Sequence, residues 1–213
     1  MSPGARARRG APAVAASRTR DPAGTEERIL KSGAALFARH GYDGVGIKKV
    51  AAAAQVTIGA LYHHFPGKEQ LYAAVTRKVF AAPASTFPVA LTAPGPAEPR
   101  LRQVVEWFAR IMIEDRQFSL LLKRELLDPR PSTPHLAGAD LFERPLRLTQ
   151  SLLRELLPGA NSELAVSSLV ALLFGLSHLK GIEFLLPDAH RSLTTPRDIA
   201  AFSTSLLIRG LGR

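Results

Sequence analysis

The sequence predicts an all-α protein, with a small helix-turn-helix unit near its N-terminus and a larger helical domain after it. Three observations predict this. Apolar residues recur at helical spacing from about residue 25 onward, with no alternating strand pattern. Short helical stretches between residues 46 and 65 are separated by a tight turn, the layout that presents a small helix to a DNA groove. Residues 1–80 hold 13 Lys and Arg against 5 Asp and Glu, or +8 of the chain's +10, so a polyanion would dock there.

The 213 residues suffice for a real core in one or two domains. There is no cysteine, which excludes disulfides and thiolate metal sites and suits a reducing cytoplasm. Residues 1–24 are rich in Arg, Ala and Pro with only Asp21 acidic, and read as a disordered basic tail. Ala11–Ser17 is too short and too weakly apolar for a signal-peptide core. The longest apolar stretch, Leu164–Leu176, is interrupted by Ser167 and Ser168 and falls short of a membrane span. The expectation is a soluble, cytoplasmic protein.

The first helix is expected from about Thr25, an N-cap with Glu26 and Glu27 in its first turn, to about His40. Its apolar face is Ile29, Gly33, Leu36 and Phe37, and Gly41 ends it. A second helix over 46–54 buries Ile47, Val50, Ala51 and Ala54 and turns Lys48 and Lys49 outward. Gln55-Val56 makes a turn, Thr57 caps a third helix to Phe65, Pro66-Gly67 breaks it, and a fourth runs over 68–80. Five prolines in 83–99 (Pro83, Pro88, Pro94, Pro96 and Pro99) predict a linker or irregular connection. Beyond it, helices are expected from Leu101 to Met112, over 118–127, over 136–157 with a kink at Pro145, over 163–186 and over 197–209.

On a helical wheel Ile58, Leu61 and Phe65 share one narrow arc, while Gly59, Ala60 and His63 face away. Leu61 and Phe65 would anchor this helix, and Gly59 and Ala60 leave no bulk between its backbone and a groove floor. Tyr62 and His64 flank the exposed arc, placed to hydrogen-bond phosphates. Lys68 opens the next helix, whose N-terminal N–H groups and dipole add to its charge.

This stretch resembles the DNA-binding domain of the TetR family of transcriptional regulators. The resemblance is carried by Ile29-Leu30, Ala34 to Ala38, His40-Gly41-Tyr42, Ile47 to Ala51, Val56-Thr57, Leu61 to Phe65, Lys68 and Leu71. It implies a homodimer whose two helix-turn-helix units meet adjacent major grooves of a palindromic double-stranded DNA operator. A small-molecule effector, of unstated identity, would release a repressor. Carried across residue by residue, it implies DNA contacts from Lys48, Thr57, Tyr62, His63, His64 and Lys68, and Ile58 and Gly59 of the same helix join them as candidate DNA-contacting residues. Two positions depart from the family pattern. Gly46 stands where Ser or Thr usually caps the second helix, and Ile58 where a polar base reader is common; Ile58 either meets a thymine methyl or packs inside.

The expected division is a tail over 1–24, a DNA-binding domain over 25–80, a connection over 81–99 and a ligand-binding and dimerisation domain over 100–213. Residues 163–186 are apolar nearly all round and, with 197–209, are expected to form the dimer interface. Trp107, Ile111, Phe174 and His178 are the candidate ligand-pocket residues, with Arg110 and Glu183 as polar groups able to orient a ligand. Lys123-Arg124-Glu125-Leu126 reads as a solvated helix end. No nucleophile elbow, metalloprotease motif or phosphate loop occurs, and no His, Asp and Glu set has ligand spacing. Neither an enzyme, a metal nor a cofactor is expected. Two other readings remain open: a sequence-tolerant DNA-binding protein or activator, and an all-α binding or scaffold protein with a basic face.

Overall fold

A computed structural model describes residues 22–127, 139–178 and 195–211. All regular structure among these residues is helical. Helix α1 (Pro22–His40) packs along α4 (Lys68–Ala84), with α2 (Ile47–Ala53) and α3 (Ile58–His64) bracing one end. Helices α5 (Ala97–Glu114), α6 (Arg116–Leu127), α7 (Glu143–Leu156), α8 (Ser162–His178) and α9 (Pro196–Leu211) follow among the described residues. Helix α5 is its hub, packed against α6, α7, α8 and α9. The buried apolar residues form one continuous cluster through both halves.

Several helices end where the sequence expects and others do not. Helix α1 starts at Pro22, whose fixed φ and missing N–H suit a first helical position, so Thr25 lies inside the helix rather than capping it. Glu26 and Glu27 accordingly fall beyond the first turn. At the other end Gly41 takes φ +73° and returns its N–H to the Phe37 carbonyl at 2.8 Å, the left-handed cap that a glycine permits. Gly33 sets the α1–α4 spacing, since a Cβ there would come within 2.8 Å of Val75.

The proline-rich segment is not a free linker. Helix α4 runs on past Phe80 to Ala84 with Pro83 in its last turn, and α5 takes Pro99 into its first. Between them Phe87 and Leu91 are buried, and Arg100 donates to the Leu91 carbonyl. Prolines break a helical pattern in sequence, yet Pro99 lies in a first turn, where no N–H is needed, and Pro83 in a last turn, where only Ala84 follows it in the helix. Pro145 is likewise in the first turn of α7 and produces no mid-helix kink. A 3-10 turn, Ala139–Phe142, precedes α7 and is tied to α4 by paired hydrogen bonds from Arg77 to Asp140. Hydrogen bonding to that guanidinium, and then its charge, hold the Asp140 carboxyl below its ordinary pKa.

The tail over 1–21, residues 128–138 and residues 179–194 lie outside the described residues, as does Glu183. The last expected helices therefore appear as α8 and α9, each shifted by a residue or two where its bounds are described.

Candidate DNA interface and effector cavity

Helix α3 is held by what its sequence buries. Leu61 is fully enclosed and Phe65 nearly so, while the Thr57 hydroxyl accepts the Ala60 N–H at 3.1 Å to cap the first turn. Thr57 is thus a positioning group as well as an exposed one. The turn before it places Gln55 at φ 55°, a left-handed conformation for a residue with a Cβ. Gly46 caps α2 with backbone alone and makes no side-chain hydrogen bond.

The face left to solvent carries Lys48, Ile58, Gly59, Tyr62 and His63. Ile58 is 42 % exposed and Tyr62 49 %. Ile58 shares the wheel arc of Leu61 but opens the helix and stays exposed, so it does not pack inside. Nothing lies within 4 Å of the Cβ position at Gly59, which leaves the backbone open to close approach. His64 differs from its neighbours. Its side chain is only 14 % exposed and its Nδ1 lies 3.8 Å from a Glu26 carboxylate oxygen, so it turns toward α1 rather than outward. Lys68 is half-buried at the start of α4, with its ammonium 4.3 Å from the centre of the Tyr42 ring. That ring belongs to an aromatic group with Phe37 and Tyr72 between α1 and α4.

The second half encloses a cavity of about 180 Å³. Phe80 of α4, Trp107 and Phe108 of α5, Phe118 of α6 and Phe142 before α7 give it an aromatic wall. Leu122 and Leu126 of α6, Leu146 of α7 and Leu169 and Leu173 of α8 complete it, with Thr149 the polar side chain among the described lining. Of the expected pocket residues, Trp107 lines this cavity. Ile111 instead faces an outer groove between α4 and α5, shared with Trp107, Glu106 and Arg110. Arg110 is paired there with Glu106 at 2.9 Å, so it is a surface residue and not a cavity group. Phe174 lines neither space. The side chain of His178, at the end of α8, lies outside what is described. Sequence reasoning missed Phe80, Phe118, Phe142 and Thr149; their helical period marks them as inward-facing but not as facing a space.

One segment contradicts its sequence reading outright. Arg124, expected on a solvated helix end, donates from Nε to the Ala38 carbonyl at 3.2 Å and from Nη2 to the Arg39 carbonyl at 3.0 Å. These are among the last carbonyls of α1, which lack partners within their own helix. Its neighbour Glu125 accepts a 2.5 Å hydrogen bond from the Tyr72 hydroxyl of α4. Helix α6 therefore touches the cavity with Leu122 and Leu126 and grips α1 and α4 with Arg124 and Glu125. Among the described residues no group of three His, Asp or Glu could hold a metal ion, and no helix is long and apolar enough to cross a membrane.

Residues 29–75 match the model of bacterial regulatory proteins of the tetR family, over the same segment that presents the exposed face of α3. It is this N-terminal segment of the chain that is similar to the tetR family. The HTH-type transcriptional repressor AcnR of Corynebacterium efficiens is 35 % identical over 65 residues, 30 % of this chain and 35 % of that protein. The match to such curated relatives thus spans about a third of their length. Beyond it the likeness is one of structure. The regulator FadR of Bacillus subtilis, solved with stearoyl-CoA, superposes with a TM-score of 0.64 at 16 % identity, over 86 % of this chain and 98 % of that one, which shows the fold alone. The TetR-family regulator PfmR of Thermus thermophilus superposes at 0.59 with 25 % identity, over 87 % and 100 %.

Proposed function

We propose that this protein is a TetR-family, ligand-responsive, sequence-specific DNA-binding repressor, a cytoplasmic homodimer released from a palindromic operator by a small molecule, and not an enzyme. The observation that carries the reading is the double engagement of α6. Its apolar side walls a cavity and its polar side clasps the two long helices of the DNA-binding unit. A ligand that favours a displaced α6 would draw α1 and α4 with it and move α3 in its groove, lowering operator affinity by population shift. Repressors among the sequence relatives and the acyl-CoA held by a protein of the same fold support this reading.

In the DNA complex, Tyr62, Lys48 and Lys68 are assigned to phosphates, and the Thr57-capped start of α3, with Ile58, Gly59 and His63, to the groove. His64 is assigned a supporting part beside Glu26. The uncovered apolar side chains of α8 and α9 supply the dimer face: Leu164, Phe202 and Leu206 are all exposed. Selection of genomic fragments on the purified protein at two salt concentrations tests the proposal. One palindrome with half-sites a helical turn or somewhat more apart, retained at the higher salt, is the expected result. Unrelated fragments that vanish as salt rises would mean phosphate attraction alone and would overturn it.

A further inference from the structure

The cavity lining restricts what the effector can be. We infer that the effector is an uncharged, mostly hydrocarbon molecule carrying one hydroxyl or N–H donor, which Thr149 accepts; this rests on the reading of the cavity as the effector site. Every other described lining side chain is a hydrocarbon or an aromatic ring. The indole N–H of Trp107 is already committed outward, donating to the Thr86 hydroxyl at 3.0 Å, so Trp107 offers the cavity its ring and no polar atom. Thr149 is buried, and its hydroxyl proton goes to the Pro145 carbonyl one turn back at 2.8 Å. What remains at Thr149 is an oxygen lone pair, which can accept but not donate. A carboxylate would therefore find no donor among these residues and an ammonium no counter-charge, and either would lose its hydration without replacement. A neutral donor such as an alcohol or phenol satisfies the Thr149 oxygen while its carbon skeleton covers the aromatic wall. The site thus discriminates by charge and by the direction of one hydrogen bond, with shape set by Phe80, Phe118 and Phe142.

The chain's single tryptophan is Trp107, which gives the test its own readout. The 213-residue chain is titrated at neutral pH with octanol, its methyl ether, octanoate and octylammonium, following Trp107 fluorescence. Octanol is expected to bind, the ether about tenfold more weakly for want of the donor, and the two ions about a hundredfold more weakly or not at all. In Thr149→Val, which keeps the side-chain shape, octanol and the ether are expected to converge. Equal or tighter binding of either ion, an unchanged octanol preference in the valine variant, or no binding of octanol at all would overturn the inference. The same titrations with operator fragment present separate the two levels. Octanol that binds with this selectivity but leaves the fragment bound sinks the ligand-release reading and leaves the chemistry of the cavity standing.

Discussion

At the scale of single residues, the DNA-binding unit is governed by backbone angles as much as by side chains. Gly41 has a positive φ, and a Cβ there would lie 2.8 Å from the Arg124 guanidinium. Gly41→Ala is expected to cost about 1–2 kcal/mol of stability, read as a lower midpoint in urea unfolding with an unchanged slope. Gln55 presents the opposite case. At φ 55° it already bears strain, so Gln55→Gly should leave stability unchanged or raise it slightly, whereas a β-branched Gln55→Val should lower it by about 1–2 kcal/mol. If valine proved as stable as glutamine, the left-handed turn between α2 and α3 would be misassigned. Tyr62→Ala and Lys68→Ala should each weaken operator and non-operator DNA by similar factors. The lysine change should also reduce the slope of log affinity against log salt by about one, as a lost phosphate contact does. A change that relaxed specificity instead would place that side chain against base edges.

Among the elements, α6 shows where sequence reading stops. The apolar periods of α1 to α3 and of α5 were legible, because a helix that buries one stripe must repeat it every three or four residues. Periodicity identifies the stripe facing the core, but says nothing about what the polar side meets. Arg124 lies 85 and 86 residues from the carbonyls it holds, and no local pattern encodes that separation. The proline-rich segment was misjudged for a related reason. Pro83 and Pro99 fall inside helix ends, and the buried Phe87 and Leu91 between them fix the connection by tertiary packing. The inward turn of His64 was illegible too, since no sequence cue places Glu26, 38 residues earlier, beside it. The functional test of α6 is Arg124→Ala together with Glu125→Gln. Octanol should still change Trp107 fluorescence in each, while the ligand-induced drop in operator affinity shrinks several-fold. An undiminished drop would mean that α6 does not carry the coupling.

For the whole molecule, the charge asymmetry and the exposed apolar residues divide the surface into two jobs. Phe202 is 44 % exposed and Leu206 50 %, one turn apart on α9, and Leu164 of α8 is also uncovered. Apolar area of this kind is buried by a second subunit more readily than it is left in water. Phe202→Glu or Leu206→Glu should yield a monomer in analytical ultracentrifugation with its helical content retained. Such a monomer should lose most of its affinity for the palindrome, since one half-site holds only half the contacts. A dimer that persisted in both variants would move the interface elsewhere.

Helix α4 begins at Lys68, with three residues between it and the end of α3, and carries Phe80 into the cavity wall near its other end. It is unbroken over its 17 residues, so it spans roughly 25 Å at 1.5 Å per residue. A rigid rod of that length works as a lever. Turned by about 5° at Phe80, it sweeps Lys68 through roughly 1.5 Å, since about 18 Å of helix lie between them. Hydrogen bonds to phosphate tolerate only about 0.5 Å between their usual limits. Under the proposed release by a ligand, nothing need unfold and no hinge need open: a tilt of about 5° at one end of α4 would take a phosphate held by Lys68 out of reach at the other.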